Sequence, residues 1–95
     1  MSELKSEDFY KRLKIQLEET TIWPSNYLYK FIVLTDPDKI KRIHQIFDNT
    51  GAVIDLKKSK NGKYTSVSIT VNIKNPDGVI QKYKEVSIIE GVISL

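Results

Sequence analysis

The chain of 95 residues lacks cysteine, which removes disulfides, thiolate nucleophiles and thiolate metal ligands together. Its four glycines stand apart from one another, so no glycine-rich loop is present to bind a phosphate. Long apolar runs are also missing: the longest is Phe31 to Leu34, too short for a membrane span or a signal core. We therefore expect a cytoplasmic protein without a nucleotide cofactor.

The composition is that of a folded chain, with 40% apolar and 28% charged residues. Its length predicts one domain over residues 1–95. The net charge of +3 permits an acidic partner without requiring one. Basic residues are spread from Lys5 to Lys84 with acids between them, whereas nucleic-acid modules concentrate them on one face, so the charge pattern disfavours nucleic acid.

The first half of the chain predicts a helix, a break and a buried strand. Ser6 to Glu19 has the spacing of an amphipathic helix with Phe9, Tyr10, Leu13 and Leu17 on one arc. Trp23-Pro24 interrupts the helical pattern, and a lone Trp beside a bend is typical of a core-edge plug rather than a ligand-stacking site. The aromatic and β-branched run from Tyr27 to Leu34 predicts a central strand.

The second half predicts two further helices and three strands. Asp36-Pro37 starts a helix to about Thr50, and Asn75-Pro76-Asp77 starts another. Between them, Ala52 to Lys60 and Lys63 to Ile73 read as a hairpin joined by Asn61-Gly62, with Val67, Ile69, Val71 and Ile73 inward; Gly91 to Leu95 is the last strand.

This order of elements predicts an α+β fold. After the first helix it reads strand, helix, strand, strand, helix, strand, which is the ferredoxin-like βαββαβ two-layer sandwich. Residues 1–21 would form an additional N-terminal helix, and residues 22–95 the ferredoxin-like core.

The sequence offers no convergent catalytic group and no metal or cofactor site. His44 is the only histidine and lies four residues before Asp48, at the border of an apolar stripe, where an amphipathic boundary residue is expected. The acidic pairs Glu18-Glu19 and Asp36-Asp38 coincide with a helix end and a helix start. We predict that the protein is not an enzyme.

One local cluster of charge surrounds the predicted hairpin turn, formed by Lys57, Lys58, Lys60 and Lys63. Lysines on a protruding hairpin commonly protect a sheet edge, which is the simplest interpretation. The alternative is an RNA-binding module that uses the open sheet face and this basic hairpin. RNA-recognition sheets stack bases on several aromatic side chains, and here only Tyr64 is in phase.

Several short segments resemble the YbeD-like family of small bacterial proteins of unknown function. They are Trp23-Pro24, Tyr29-Lys30 and the stretch from Gly62 to Val71, with the motif residues Ser59, Gly62, Tyr64, Ser66 and Val67. The resemblance covers about Ile22 to Leu95; Thr65 stands where several relatives have His, and the N-terminal helix is longer than in the shortest relatives. It implies a ferredoxin-like fold similar to ACT-type regulatory domains, and a non-catalytic regulatory or interaction module that binds a small molecule or a partner protein.

A four-stranded sheet with both helices on one side leaves its other side open. There the first strand would present Leu28, Ile32 and Leu34 beside serines of the third strand, a face apolar enough to attract an occupant. Three occupants are open: the chain's own N-terminal helix, a second copy in a homodimer, or a different protein. We predict that the functional surface consists of Lys30, Tyr64, Ser66 and Ser68, with Lys60 and Lys63 at its rim.

Overall fold

The computed structural model describes residues 3–94 of the chain, and the side chains of residues 7–94. These residues form three helices and four strands in the order αβαββαβ. The bounds are α1 Glu3–Thr20, β1 Ser25–Leu34, α2 Pro37–Ile46, β2 Val53–Lys58, β3 Tyr64–Ile73, α3 Pro76–Ser87 and β4 Ile93–Ser94. The fold is therefore a mixed α+β fold, as expected.

The four strands form one sheet in the order β2-β3-β1-β4, and every neighbouring pair is antiparallel. The β1–β3 ladder is the longest, running from Ser25 opposite Ile73 to Leu34 opposite Tyr64. Since side chains alternate between the two faces of a strand, this register assigns each residue of β1 and β3 to one face.

The core lies between one face of the sheet and the helices. Tyr29, Phe31 and Val33 of β1 are fully buried, and β3 contributes the buried Val67, Ile69, Val71 and Ile73 that its alternation predicts. The hydroxyl of Tyr29 donates to the carbonyl of Val79 in α3 at 2.9 Å. The ring centroid of Phe47 lies 5.3 Å from that of Tyr29. These contacts fix α3 and the end of α2 over β1.

Helix α1 packs against α3 rather than against the open side of the sheet. Leu17 is buried in the core, and the indole N–H of Trp23 donates to its carbonyl at 3.1 Å, which confirms the structural interpretation of Trp23. Lys14 forms an ion pair with Asp77 at 3.1 Å. The expectation for Phe9 is wrong, because its side chain is 58% exposed, and Tyr10 takes the inward position under Lys84.

Several predicted boundaries differ from the structure. Helix α2 ends at Ile46 instead of Thr50, because the N–H of Phe47 turns back to the carbonyl of His44 and Asn49 adopts a left-handed φ of 61°. Strand β4 starts at Ile93 instead of Gly91, since Gly91 still belongs to the preceding turn with φ of 80°; the strand covers Ile93–Ser94 of the described residues, and Leu95 lies outside them. Helix α1 begins before Ser6, at Glu3.

The hairpin between β2 and β3 is longer than a two-residue Asn-Gly turn. The N–H of Ser59 donates to the carbonyl of Tyr64 at 2.8 Å, and the N–H of Gly62 donates to the carbonyl of Ser59 at 2.9 Å. Gly62 has a φ of 72°, whereas Asn61 is not left-handed and its side-chain oxygen accepts the N–H of Lys63 at 3.0 Å. The β2–β3 hairpin is formed as predicted, but because a type I′ turn needs both central residues left-handed, its connection is not a turn of that type.

Candidate interaction surface

We call the face of the sheet opposite the helices the open face. The register places the same group of alternating residues on it from all four strands. They are Asn26, Leu28, Lys30, Ile32 and Leu34 of β1, Val53, Asp55 and Lys57 of β2, Tyr64, Ser66, Ser68, Thr70 and Asn72 of β3, and Ile93 of β4.

One end of the open face is apolar. Ile32 is opposite Ile93, and Leu34 is opposite Tyr64. Leu34, Tyr64 and Ile93 are 42%, 41% and 55% exposed, respectively, although they are large apolar or aromatic side chains. These four residues form a contiguous group across three strands, which we call the apolar end.

A polar band crosses the middle of the open face. Lys30 of β1 is opposite Ser68 of β3, and Ser68 is opposite Asp55 of β2, so the three lie in one row. In the next row toward the apolar end, Ser66 lies between Lys57 and Ile32. A cation, hydroxyl groups and a carboxylate therefore border the apolar end on one side.

The predicted surface residues fall into two groups. Lys30, Tyr64, Ser66 and Ser68 lie together on the open face, whereas Lys60 and Lys63 belong to the hairpin loop beyond it. The ammonium of Lys63 is 5.5 Å from the centroid of the Tyr64 ring, which brings this loop to the rim of the apolar end. Their roles in binding remain predictions.

Sequence reasoning missed Asp55, Lys57 and Ile93 as members of this surface. The alternation in β2, with Ile54 and Leu56 on the other side, is the signal that places Asp55 and Lys57 on a common face. Ile93 could not be placed in the same way, because the described part of β4 is two residues long and shows no alternation of its own.

The side chain of Thr65 does not lie on the open face, because Thr65 is opposite the buried Val33. Thr65 is 1% exposed, and its Oγ1 is 2.9 Å from the Oγ1 of Thr35. A pair of threonine hydroxyls at this distance satisfies one hydrogen bond inside the fold. The position is therefore structural in this chain.

Helix α1 does not cover the open face in the described part of the chain. Its contacts run to α3, and its buried residue Leu17 joins the core on the helix side of the sheet. On the opposite side Leu28 remains 51% exposed. The first of the three occupants that the sequence left open is thereby excluded.

The groups that could support chemistry lie apart from one another. His44 is half-buried at the edge of α2, and the carboxylate of Asp36 accepts the N–H of Asp38 at 2.9 Å as a helix cap. Among the side chains of residues 7–94, no three His, Asp or Glu groups are close enough to hold a metal ion.

The perturbed groups are on the helix side of the sheet. Burial, aided by the neighbouring Tyr83 and Tyr27, holds the pKa of Tyr29 well above its usual range. Burial also raises the pKa of Tyr83, whose hydroxyl is 2.9 Å from that of Tyr27. A hydrogen bond to Asp77 raises the pKa of the exposed Lys14. Tyrosines held neutral in a core stabilise the fold and offer no base or nucleophile.

Comparison with known proteins identifies the family of this chain. The model of the family described as "Protein of unknown function (DUF493)" matches residues 18–95. The chain belongs to the DUF493 family. This confirms the resemblance to YbeD-like proteins.

Individual relatives agree with the DUF493 match. A UPF0250 protein of Buchnera aphidicola is 35% identical over 78 residues, which cover 79% of this chain and 90% of the relative. A UPF0250 protein of Erwinia tasmaniensis is 28% identical over 81 residues, covering 82% and 93% of the two chains. The solution structure of HP0495 from Helicobacter pylori superposes with a TM-score of 0.64 at 22% identity, covering 80% of this chain and 86% of that one, and supports the fold alone.

The DUF493 match brings no enzyme-related description with it. None of the helices within residues 3–94 is long and apolar enough to cross a membrane.

Proposed function

We propose that this DUF493 protein is a non-catalytic interaction module, active in the cytoplasm, that binds a partner protein through the open face. One observation carries the proposal: the apolar end of the open face is exposed, and α1 packs elsewhere. Soluble chains rarely leave a contiguous group of large apolar side chains uncovered unless another molecule binds it.

The proposal includes a ferredoxin-like classification similar to ACT-type regulatory domains. Support comes from the strand order β2-β3-β1-β4 and from helices α2 and α3, each of which connects two strands that are not neighbours in the sheet. In such a sandwich one sheet face is free for binding. The proposed regulatory role rests on this likeness of architecture. Because a fold alone does not determine function, the proposed binding function rests on the residues of the open face.

The chemistry of the open face favours a protein over a small molecule or RNA. It is the face of a sheet, whereas small ligands usually need an enclosed pocket. Among its residues only Tyr64 is aromatic, so stacking of successive bases has a single platform. Apolar side chains bordered by Lys30 and Lys57 suit an amphipathic helix with acidic residues along its margin.

Substitutions on the open face test the proposal. Leu34→Lys puts a charge into the apolar end, and Lys30→Glu reverses the charge of the polar band. Ile22→Lys is the matched control, because Ile22 is 92% exposed and lies outside the open face. Partners captured by the wild-type chain would be purified, and their direct binding measured with all three variants.

We expect Leu34→Lys and Lys30→Glu each to weaken the purified complex at least about tenfold, and Ile22→Lys to leave it unchanged. The far-ultraviolet circular dichroism of each variant checks its folding. Equal binding by all variants contradicts the proposal. Capture of RNA, lost in Lys30→Glu and steeply dependent on salt, would instead support the nucleic-acid alternative.

A further inference from the structure

Strand β2 is an edge strand whose outer hydrogen-bonding groups are unpaired among residues 3–94. The N–H of Ser59 donates to the carbonyl of Tyr64, so Ser59 and Tyr64 form a hydrogen-bonded pair. Because hydrogen-bonded and non-hydrogen-bonded pairs alternate along an antiparallel ladder, the N–H and C=O groups of Ile54, Leu56 and Lys58 point outward. This edge is ready to accept another strand.

The side chains of β2 carry a charge pattern that is complementary to itself. Asp55 and Lys57 lie on the open face on either side of Leu56. Neither forms an ion pair with another described residue. Leu56 points to the helix side of the sheet and is 49% exposed there.

We propose that β2 pairs with β2 of a second copy of this chain, antiparallel, about a two-fold axis at Leu56. In this register Asp55 of each copy is opposite Lys57 of the other, which gives two cross-strand ion pairs. The Leu56 residues of the two copies form a hydrogen-bonded pair, and their exposed side chains meet on the helix side. An isologous contact requires this kind of self-complementarity.

Neighbouring registers lack this match. An axis at Asp55 sets two carboxylates opposite each other, and an axis at Lys57 sets two ammonium groups opposite each other. Like charges directly opposite each other destabilise a strand pair. Axes at Ile54 or Lys58 keep the outward hydrogen-bonding groups in phase but pair Asp55 with Val53 or Lys57 with Ser59. Only the axis at Leu56 both aligns the outward hydrogen-bonding groups of the two strands and places Asp55 of each copy opposite Lys57 of the other.

The dimer would extend the binding surface. A two-fold axis perpendicular to the sheet keeps both open faces on the same side, so the two sheets of four strands become one continuous sheet. This inference concerns the edge of the sheet and does not depend on what binds to the open face. The competing interpretation is that Lys57 and Lys58 protect the edge and keep the chain monomeric.

Charge reversal tests the register. Asp55→Lys turns both ion pairs into Lys–Lys contacts, and Lys57→Asp turns both into Asp–Asp contacts. Sedimentation velocity over a concentration series should show each single variant dimerising at least about tenfold more weakly than wild type. An equimolar mixture of the two variants should form a heterodimer, and the double variant with both substitutions should recover the homodimer.

Lys60→Asp is the matched control, because it makes the same change in charge in the hairpin loop just beyond the paired strand. It should keep the wild-type dissociation constant within about threefold. A wild-type chain that stays monomeric up to about 1 mM overturns the proposal and supports edge protection. A dimer that neither single variant weakens overturns it too, since that dimer would use another surface. A mixture that fails to form the heterodimer excludes this register.

Discussion

Tyr29 shows how a single side chain ties the sheet to a helix. It is fully buried, its hydroxyl donates to the carbonyl of Val79, and its ring lies against Tyr83 with centroids 4.9 Å apart. Burial is the main reason why its pKa lies far above the ordinary value. The neutral phenol is thus required by the fold, and it gives folding stability a dependence on pH.

The direction of that dependence follows from proton binding. In the unfolded chain Tyr29 ionises above about pH 10, whereas in the folded chain it stays protonated. Its contribution is therefore fully present below about pH 10, and the free energy of unfolding falls by about 1.4 kcal/mol per pH unit as the pH rises further. Tyr29→Phe should abolish this component and, below pH 10, cost about 1 kcal/mol for the lost hydrogen bond.

Urea denaturation of wild type and Tyr29→Phe at a series of pH values measures the difference in slope, in which the titration of lysines common to both chains cancels. Tyr64→Phe is the matched control, because it removes an exposed phenol from the other face of the sheet. Parallel curves for wild type and Tyr29→Phe above pH 10 would contradict this account of Tyr29.

At the scale of elements, α1 is joined to the rest of the molecule by a small number of contacts on the helix side. Leu17 is its core residue, Trp23 donates to the backbone of Leu17, and Lys14 reaches Asp77. The DUF493 match begins at residue 18, so most of this helix precedes the part that is shared with the family. Its attachment has to be explained from this chain's own contacts.

Leu17→Ala should lower the free energy of unfolding by about 2 to 4 kcal/mol, because it leaves a cavity between α1 and the core. Ile15→Ala is the matched control on the same helix: Ile15 is 54% exposed, so we expect a change within about 0.5 kcal/mol. Thermal and urea denaturation compare the two variants. Equal destabilisation would show that Leu17 is no more important to the fold than a surface residue of α1.

The elements differ in how far the sequence predicted them. The alternation of β3 and the two Asp/Asn-Pro helix starts were read correctly, because each depends on residues that are neighbours in sequence; Asn75 caps α3 through the N–H of Gly78 at 2.9 Å. The end of α2 was missed. It involves the left-handed conformation of Asn49, which Asn adopts only in some contexts, so the local sequence does not predict it. The burial of Phe9 was predicted wrongly, because α1 packs against α3, which is distant from it in sequence.

The candidate surface was predictable only where a strand carries its own alternation. Lys30 and Ser68 follow from the patterns of β1 and β3, but that they are opposite each other is a property of the register. Ile93 needs the pairing of β4 with β1, a contact between the end of the chain and its middle. Long-range pairing of this kind leaves no mark in the local sequence.

At the scale of the whole molecule, the sheet is held together unevenly. Within residues 3–94, β1 and β3 are paired at ten positions, whereas β4 is paired with β1 at two, Phe31 with Ser94 and Ile32 with Ile93. Local openings of a protein concentrate where few contacts are lost. The weakly held strand is also the one that supplies Ile93 to the apolar end, so the proposed binding surface includes the least secured part of the sheet.

Amide hydrogen exchange should reveal this difference. The amide of Ile69, in the middle of β3, should exchange only on global unfolding, whereas the amide of Ile93 should exchange at least about tenfold faster through local opening of β4. A partner bound at the apolar end would slow exchange at Ile93, because opening of β4 removes Ile93 from the bound surface. It would also slow exchange at Ile69, because binding to the folded chain alone makes global unfolding rarer. Equal protection of the two amides in the free chain would show that β4 opens only with the whole sheet, and binding would then have to act on a preformed, rigid surface.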